Sequence, residues 1–374
     1  MIVRGAVLRE MGRPAPYAAS RPLQVEDVEL APPGPGELLI RIRAAGLCHS
    51  DLSVIDGSRP RVMPMLLGHE ATGEVVHSEA PGFAPGDVVV CAFVPACGNC
   101  APCAEGRPAL CEPGAAANTA GTLLTGTRRL TSTDGPGELH HHLGVSGFAD
   151  HAVVSAHSAV KIDPTLPPEI AALFGCAVMT GVGAVVNTAQ VRAGRSTAVF
   201  GLGGVGLSAL LGAVLAGAHP IVAVDVVPAK LQLAQELGAT AVVDARAPDA
   251  VDQVREATAG GAEYAFETVG SAKVLEQAYA VTRRGGTTIT VGLPHPSQAF
   301  TVPAVSLVAE ERTVKGSYLG SSVPSRDIPR YVALYRAGRL PVDRLLTATV
   351  GLDDLNQAFD DLAAGTSIRQ VLLF

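Results

Sequence analysis

The sequence predicts an α/β protein in which a β-rich region accompanies a doubly wound parallel sheet. Two features of the chain carry this prediction. Up to about residue 90, short strand-like runs are separated by Pro-Gly turns. From Ser196 onward, short apolar strands alternate with helical segments, which is the pattern of a parallel sheet covered by helices. The chain has 374 residues, more than one hydrophobic core usually organises, so we expect two domains.

The N-terminal region is predicted to be built from β-strands. Leu38–Ile42 and Asp87–Val90 are strand-like, and Pro33–Gly36 and Pro85–Asp87 indicate turns between such runs. Between Cys91 and Gly147 the sequence shows little periodicity and is too long for an ordinary connection in a compact domain. We therefore expect something other than a hydrophobic core to order that segment.

The second region alternates strands with helices. Its predicted strands are Thr197–Leu202, Ile221–Asp225, Ala241–Asp244, Ala262–Glu267 and Thr287–Val291. Its predicted helices are Gly204–Leu215, Pro228–Leu237, Asp249–Thr258 and Ala272–Thr282. The tail adds amphipathic helices near Ile328–Ala337 and Leu352–Ala364 and an apolar end, Val371–Phe374. We assign the tail to the first domain, which then comprises residues 1–177 and 321–374 and leaves residues 178–320 to the second.

Charge and hydropathy narrow the range of partners. The net charge of −7 and the lack of a dense Lys/Arg run give no electrostatic footprint for nucleic acid or anionic lipid. Apolar residues make up 48% of the chain, but they occur in runs shorter than the roughly 20 residues that span a bilayer. Met1–Glu10 mixes charges among apolar residues and shows no secretion signal. We therefore expect a cytoplasmic protein with small-molecule partners, and neither nucleic acid nor membrane among them.

A glycine-rich motif predicts a dinucleotide site. The segment Gly201-Leu-Gly-Gly-Val-Gly206 follows an apolar strand and opens a helix, and Asp225 ends the next strand 19 positions later. Gly201 permits a tight turn, Gly203 lets the backbone approach a pyrophosphate, and Gly206 lets helix and strand pack closely. A carboxylate at Asp225 accepts hydrogen bonds from ribose hydroxyls and repels a 2′-phosphate, which favours NAD over NADP. A glycine-rich turn with a surface aspartate is the alternative interpretation.

Four cysteines form the sharpest local pattern in the chain. They are Cys97, Cys100, Cys103 and Cys111, at intervals typical of a closed structural zinc site. Four thiolates around one Zn²⁺ leave no position for substrate and would order the segment that lacks periodicity. An iron–sulfur cluster also uses four thiolates, and disulfides are a further alternative. With no sign of export, metal ligation in a reducing compartment explains the cluster better.

Three further residues have the chemistry of a second, open zinc site. Two thiolates and one imidazole, supplied by Cys48, Cys176 and His69, would leave a fourth position for water or an alcohol. Each residue also has a plain structural interpretation, since cysteine is often a small buried apolar residue and His69 is compatible with a satisfied core histidine. Spacing in the sequence alone does not join the three.

Taken together, the motifs resemble the zinc-containing medium-chain alcohol dehydrogenases over essentially the whole chain. The segments that occur in the family's order and spacing are Gly46–Asp51, Gly68–Gly73, the four-cysteine loop, Gly175–Gly181, Gly201–Gly206 and Ser367–Arg369. The stretch between Cys111 and Gly147 is similar to the larger members, grouped with the animal enzymes and the glutathione-dependent formaldehyde dehydrogenases. The resemblance implies a GroES-like catalytic domain, a Rossmann domain that binds NAD(H), two zinc ions per subunit, and a homodimer or homotetramer.

The resemblance also implies roles for individual residues. Around the catalytic zinc, the matching residues are Cys48, His69 and Cys176 as ligands, Ser50 as the hydroxyl that hydrogen-bonds the alcohol, and Asp51 and Glu70 close to the metal. For the cofactor, they are Asp225 and Lys230 at the adenosine ribose, His49 and Arg369 beside the pyrophosphate, Thr180 and Val205 at the nicotinamide, and Gly201, Gly203, Gly204 and Gly206 in the glycine-rich turn. The implied reaction is reversible hydride transfer between an alcohol and its aldehyde or ketone.

Some positions depart from the family's pattern. In many members the proton relay from the serine ends at a histidine three positions beyond it, where this chain has Ser53. Ser53 with ordered water, or the ribose hydroxyl, would then release the proton. The resemblance places four residues around the substrate pocket: Phe93, His142, Leu143 and Arg59. His142 would make that pocket more polar, and a solvated loop histidine is its alternative interpretation, as a surface role is for Arg59.

Two other functions stay open at this point. A dehydrogenase of the same fold that acts on thiol adducts, such as S-(hydroxymethyl)glutathione, would oxidise formaldehyde only in the presence of a low-molecular-weight thiol. A zinc-stabilised NAD-binding protein that senses redox state would bind NAD without turning over alcohols. The set of Cys48, His69 and Cys176 favours an enzyme.

Overall fold

The chain folds into two units in the computed structural model, which describes residues 1–133 and 137–374. Unit 1 comprises Met1–Cys176, Val323–Ala333 and Val342–Phe374, and unit 2 comprises Ala177–Ser322 and Leu334–Pro341. The N-terminal portion and most of the tail thus share one unit, whereas the short segment Leu334–Pro341 groups with unit 2.

The part of unit 1 that precedes residue 177 is rich in strands. They are β1 (Ile2–Leu8), β2 (Leu23–Leu30), β3 (Glu37–Gly46), β4 (Met65–Leu66), β5 (Glu70–Ser78), β6 (Val88–Cys91), β7 (Leu130–Ser132), β8 (Glu138–His141), β9 (His151–Ser155) and β10 (Ala159–Lys161). The α-helices in this range are short: α1 (Tyr17–Ser20), α2 (His49–Ile55), α3 (Ala101–Ala104), α4 (Glu112–Ala120) and α5 (Pro168–Ala171).

The remaining elements belong to the middle of the chain and to its tail. The helices of the middle part are α6 (Ala177–Gly183), α7 (Gly204–Leu215), α8 (Pro228–Glu236), α9 (Ala250–Ala257), α10 (Ala272–Val281) and α11 (Ala304–Ala309). Its strands are β11 (Thr197–Phe200), β12 (Ile221–Asp225), β13 (Ala241–Asp244), β14 (Ala262–Glu267), β15 (Thr282–Thr290) and β16 (Thr313–Gly316). The tail adds α12 (Pro324–Arg336), β17 (Leu346–Val350), α13 (Leu355–Ala363) and β18 (Arg369–Leu373). Short 3-10 or π-helical turns occur at Pro108–Leu110, Ala156–Ser158, Ala172–Gly175, Ala184–Ala189, Leu319–Ser321, Val342–Leu345 and Leu352–Asp354.

Unit 1 is organised by a closed barrel and a larger sheet. The barrel has the strand order β1-β2-β7-β8-β4, and the sheet has the order β10-β6-β5-β3-β18-β17, with β9 also paired to β3. In β3, Leu38, Ile40 and Ile42 are buried while Arg41 and Arg43 are exposed, as expected of a strand with one face on the core. Because β18 pairs with the end of β3, the tail is part of this β structure.

The segment between Cys91 and Gly147 is more regular than its sequence predicts. It contains α4, β7 and β8, and a buried cluster that includes Leu123, Leu130 and Leu139 lies within the barrel. The expectation that no hydrophobic core orders this segment is therefore wrong for its second half. Strands of three or four residues are too short to show the alternation that identifies a strand in a sequence.

Unit 2 confirms the predicted parallel sheet. Its strand order is β13-β12-β11-β14-β15-β16, and every pair in the sheet is parallel. From β11 the chain adds strands outward to β13 on one side, and from β14 it adds strands outward to β16 on the other, so the strand order reverses between β11 and β14. In open parallel sheets, ligands bind at the carboxyl ends of the strands next to such a reversal. Gly201 follows β11 directly, so the glycine-rich segment lies at that edge.

No single helix in the described parts of the chain is both long and apolar enough to cross a membrane. Pro168–Gly175 and Ala177–Ala189 reach that length and composition only when the two are joined across a bend. The residues of α6, which opens the second of these segments, are all buried in the protein.

Candidate active site and metal centres

The four cysteines predicted as a structural metal site lie together in unit 1. One ligand sulfur from each of Cys97, Cys100, Cys103 and Cys111 lies within 4.8 Å of the others, and the Cys100 and Cys111 sulfurs are 3.9 Å apart. A tetrahedral zinc ion with Zn–S bonds of about 2.3 Å separates its sulfur ligands by about 3.8 Å. The cluster therefore fits one such ion, and an iron–sulfur cluster would use the same donors.

Backbone N–H groups stabilise negative charge on these sulfurs. The N–H of Cys97 donates to Cys111 Sγ at 3.2 Å, and that of Gly114 donates to the same sulfur at 3.3 Å. The Cys100 N–H donates to Cys97 Sγ at 3.3 Å. Contact with the Asn99 N–H lowers the pKa of Cys97 to about 7. All seven cysteines are free thiols among the described residues, so the disulfide alternative finds no support.

The three residues predicted to hold a second metal also come together in unit 1. Cys48 precedes α2, His69 precedes β5, and Cys176 ends the 3-10 turn before α6. One ligand atom from each of them, and one from Glu70, lies within 4.8 Å of the others, and all four residues are buried. Thiolate, imidazole and carboxylate are the donors that zinc takes in proteins, so the set fits a zinc ion.

Two glycines, Gly46 and Gly68, allow close packing of the segments that carry Cys48, His69 and Glu70. Gly68 has a φ of +91°, and a side chain there would place its Cβ 2.5 Å from the backbone nitrogen of Phe148. At Gly46 a Cβ would collide with the carboxylate of Glu70. A larger residue at either position would push His69 or Glu70 away from the sulfurs.

The imidazole of His69 is oriented by a buried carboxylate. Asp51 Oδ1 lies 3.0 Å from His69 Nδ1, and Asp51 Oδ2 accepts the N–H of Cys48 at 3.2 Å. His69 Nε2 has no hydrogen-bond partner among the described residues. With Nδ1 engaged by Asp51, the lone pair of Nε2 is free to bind a metal, which is the usual arrangement at zinc sites.

Glu70 and Arg369 form a buried ion pair beside the sulfurs. The guanidinium contacts Glu70 Oε2, whereas Glu70 Oε1 has no hydrogen-bond partner in the described chain and lies 3.8 Å from His69 Nε2. Burial raises the pKa of Glu70 to about 8, against the opposing charge of Arg369. The predicted contact of Arg369 with a pyrophosphate stays a prediction, and the ion pair is a partner that the sequence did not indicate.

The side chains of the site shift one another's pKa values. The hydrogen bond with Cys176 lowers the pKa of Cys48 well below its ordinary value, and the same bond raises that of Cys176. Burial opposes the charging of His69, but the Asp51 carboxylate raises the pKa of His69 well above its ordinary value. A bound cation would therefore have to replace the proton that this raised pKa keeps on His69, and it would stabilise the thiolate forms of both cysteines.

The predicted dinucleotide site has the local geometry that its motif requires. Gly201 has a φ of +87°, and a Cβ at Gly206 would collide with the Gly201 carbonyl oxygen. A Cβ at Gly203 would meet nothing within 4 Å, so the backbone there is open to a ligand. Asp225 Oδ2 accepts the Leu202 N–H at 2.6 Å, which fixes the carboxylate against the glycine-rich turn.

Thr180 provides a further polar group in unit 2. Its hydroxyl is buried and has no hydrogen-bond partner among the described residues. The next residue, Gly181, packs so closely on α7 that a Cβ would collide with the carbonyl oxygen of Val205. Thr180 and Val205, both predicted at the nicotinamide, therefore lie on neighbouring parts of the unit, and an unpaired buried hydroxyl is what a bound ligand would satisfy.

The other predicted site residues are placed as follows. Phe93 and Leu143 are buried, Ser50, Arg59 and Lys230 are half-buried, and His49 is exposed on α2. Ser53 Oγ donates a hydrogen bond to the His49 carbonyl at 2.7 Å. His142 is fully buried, so the interpretation as a solvated loop histidine is wrong: the turn that follows β8 carries its side chain inward.

Glu267 stands outside the predicted site but shapes the same edge of the sheet. It ends β14, and its Oε1 accepts the N–H groups of Val269, Gly270 and Ser271 at 2.7, 2.6 and 3.3 Å. The Val269 side chain lies where a Cβ on Gly201 would be. An acid that closes a predicted parallel strand, as Asp225 does, is the signal in the sequence that would have identified Glu267.

Comparisons with known proteins agree with this arrangement. Residues 34–164 match the model of the alcohol dehydrogenase GroES-like domain, and residues 204–337 match that of the zinc-binding dehydrogenase domain. The chain is 39% identical over 373 residues to an NDMA-dependent alcohol dehydrogenase of Amycolatopsis methanolica, covering 96% of this chain and 97% of the relative.

Two solved structures share the fold over the whole chain. One is an alcohol dehydrogenase zinc-binding domain protein from Burkholderia ambifaria, with a TM-score of 0.93 and 38% identity over 100% of this chain and 99% of the other. The second is a benzyl alcohol dehydrogenase from Acinetobacter calcoaceticus, with a TM-score of 0.92 and 31% identity over the same shares. The likeness therefore extends across both units.

Proposed function

Because the chain belongs to the family of zinc-containing medium-chain alcohol dehydrogenases and is an oxidoreductase, we propose that it is an NAD(H)-dependent enzyme that interconverts an alcohol and its aldehyde or ketone. The observation that carries the proposal is the convergence of Cys48, His69 and Cys176 on one point, with Glu70 beside them. Three such ligands leave one zinc position for a substrate oxygen. A structural metal site would need no vacant position.

Each residue of this site has a defined task in the proposal. When bound, zinc supplies a Lewis acid that favours the alkoxide over the alcohol, and NAD supplies the acceptor for hydride. Cys48, Cys176 and Nε2 of His69 would hold the ion, and Asp51 would keep the imidazole in the tautomer that binds metal. Arg369 engages one oxygen of Glu70, which weakens the competition of that carboxylate for the substrate's position.

The substrate proton passes first to Ser50. Its neighbour in the helix, Ser53, already donates its hydroxyl hydrogen to the His49 carbonyl at 2.7 Å. Ser53 would have to break that bond before it donated a proton onward. The route through a ribose hydroxyl is therefore the one we favour over a route through Ser53.

The cofactor is assigned as NAD from the position of Asp225. Its carboxylate ends β12 and is held against the glycine-rich turn by the Leu202 N–H. A fixed negative charge there accepts hydrogen bonds from ribose hydroxyls and repels a 2′-phosphate.

The four-cysteine cluster would hold a second zinc ion, which would stabilise its loop. We place this activity in the cytoplasm, since cysteines that bind metal instead of forming disulfides favour a reducing compartment. We further propose a homodimer or homotetramer that binds small alcohols and carbonyl compounds.

A substrate panel with matched cysteine variants tests the proposal. Alcohols and aldehydes are assayed with NAD or NADP, with and without NDMA, and with formaldehyde in the presence and absence of a thiol. Cys176→Ala is expected to lose activity and one zinc ion. Cys91 is a buried cysteine outside both clusters, so Cys91→Ala should keep its activity and both zinc ions.

Other outcomes would replace the proposal. Activity with formaldehyde that requires the thiol would indicate a thiol-adduct dehydrogenase. Bound NAD without turnover of any alcohol would indicate a redox sensor. An active Cys176→Ala variant that retains two metals would refute the assignment of the catalytic zinc ligands.

A further inference from the structure

His142 lies against the carboxylate that orients a proposed zinc ligand. Its Nδ1 is 3.1 Å from Asp51 Oδ1, the same oxygen that lies 3.0 Å from Nδ1 of His69. This close contact is not aligned as a hydrogen bond, since neither ring nitrogen of His142 has a hydrogen-bond partner among the described residues. All three side chains are buried. We propose that His142 is a positioning residue, which holds the Asp51 carboxylate in place and through it the imidazole of His69. The inference rests on the proposed function, because it assumes that His69 binds zinc.

Asp51 needs several donors because it is charged and buried. Its Oδ2 accepts the Cys48 N–H, and its Oδ1 faces the two imidazoles. A buried carboxylate with too few polar contacts is costly, and it relieves that cost by moving toward other donors. Such a movement would release His69 from its orientation.

Ring contacts add a second constraint on His69. The ring of His142 packs edge-on against it with centroids 5.4 Å apart, and Phe93 does the same at 5.5 Å. The imidazole of His69 is therefore enclosed by two rings as well as bonded to Asp51. This contact depends on the shape of His142 and not on its nitrogen atoms, so the two contributions are separable by substitution.

The backbone around His142 is itself fixed. The N–H of His142 donates to Ser146 Oγ at 3.0 Å, and the Ser146 hydroxyl donates to the Leu66 carbonyl at 2.9 Å. The N–H of Val145 donates to the His142 carbonyl at 3.0 Å and closes the turn. A side chain on such a turn has little freedom to move, which suits a residue that must hold another group in place.

The test compares release of the catalytic zinc among variants of two adjacent histidines. His142→Phe keeps a ring and removes the nitrogen next to Asp51, His142→Asn keeps a polar N–H donor, and His141→Phe removes a neighbouring buried imidazole. Zinc transfer to a coloured chelator is followed, and the catalytic phase is the one that Cys176→Ala lacks. The absorption spectrum of the Co²⁺-substituted protein reports the ligand geometry independently of activity.

We expect His142→Phe to release the catalytic zinc roughly 10-fold faster than the unmodified protein and to shift the Co²⁺ spectrum, since partners of metal ligands contribute roughly 10- to 100-fold to affinity. His142→Asn should recover part of this loss, and His141→Phe should match the unmodified protein. An unchanged rate and spectrum in His142→Phe, or equal acceleration in His141→Phe, would overturn the inference. If His142→Phe does not fold, His142→Leu replaces it and must release zinc faster than His142→Asn; the reverse order would overturn the inference. If the unmodified protein and Cys176→Ala released the same amount of zinc, there would be no catalytic zinc phase, and this result would refute the proposed function instead.

Discussion

Replacement of Asp51 by asparagine tests the orientation of the zinc ligand. The side chains have the same shape, but the variant loses the charge and offers one acceptor oxygen in place of two. Asp51 receives the Cys48 N–H at 3.2 Å and lies 3.0 Å from His69 Nδ1, so one of these contacts must be lost. A hydrogen bond to a charged group contributes about 1.5–3 kcal/mol, and about 1.4 kcal/mol corresponds to a factor of ten. We therefore expect zinc affinity at this site to fall roughly 10- to 100-fold.

Competition with a chelator of known affinity measures this loss, and the four-cysteine zinc serves as an internal reference. Asp327→Asn is a suitable control, because Asp327 is also buried and paired with an arginine, Arg326, and belongs to none of the candidate metal clusters. The control should lower thermal stability without changing either zinc affinity. If Asp51→Asn held the catalytic zinc within about twofold of the unmodified protein, the role given to this carboxylate would be wrong.

Three further predictions concern the other parts of the protein. Cys111→Ser should remove one zinc ion per chain and lower the melting temperature, as measured by metal analysis and calorimetry, while the catalytic zinc remains. Asp225→Asn should raise KM for NAD about tenfold and reduce the preference for NAD over NADP in steady-state assays. If that preference were unchanged, Asp225 would not be the residue that selects NAD. Burial lowers the pKa of His141 from 6.5 to about 3, while the nearby charges of Glu37, Arg128 and Arg129 act in opposite directions. Between pH 6.5 and 3, His141 is therefore protonated in the unfolded chain but neutral in the folded chain. The free energy of unfolding falls as the pH drops through this range, by at most about 1.4 kcal/mol per pH unit. Denaturant unfolding of His141→Gln should lack this slope, and an equal slope in both proteins would contradict the assignment.

The features that the sequence predicts well are those set by neighbouring residues. The helix Gly204–Leu215 and the strand Ile221–Asp225 have the predicted boundaries, because glycine turns and apolar runs mark them locally. The four-cysteine cluster is equally local, since its members lie within 15 positions of one another in the chain. The pattern predicts that α12 begins near Ile328, but the helix begins at Pro324. Proline is tolerated at a helix start, and the polar residues that follow it give no apolar periodicity by which to recognise the first turn.

The catalytic site could not be assembled from local patterns. Cys48, His69 and Cys176 meet through the pairing of β3 with β5 and the turn before α6, and such long-range contacts leave no periodic signal. The resemblance to a known family is what predicts that the three residues lie together. It did not reveal that Arg369 pairs with Glu70, because β18 must first pair with β3 to bring the two side chains together. The contact of His142 with Asp51 likewise depends on the turn after β8.

An anomalous difference map at the zinc absorption edge, from crystals grown with an alcohol, tests the central claim most directly. The account predicts two zinc ions per chain, one among the four cysteines and one bonded to Cys48, His69 and Cys176 with the alcohol oxygen as its fourth ligand. A single zinc ion at the four-cysteine cluster would contradict it. So would a second ion whose fourth ligand is Glu70 while alcohol is present.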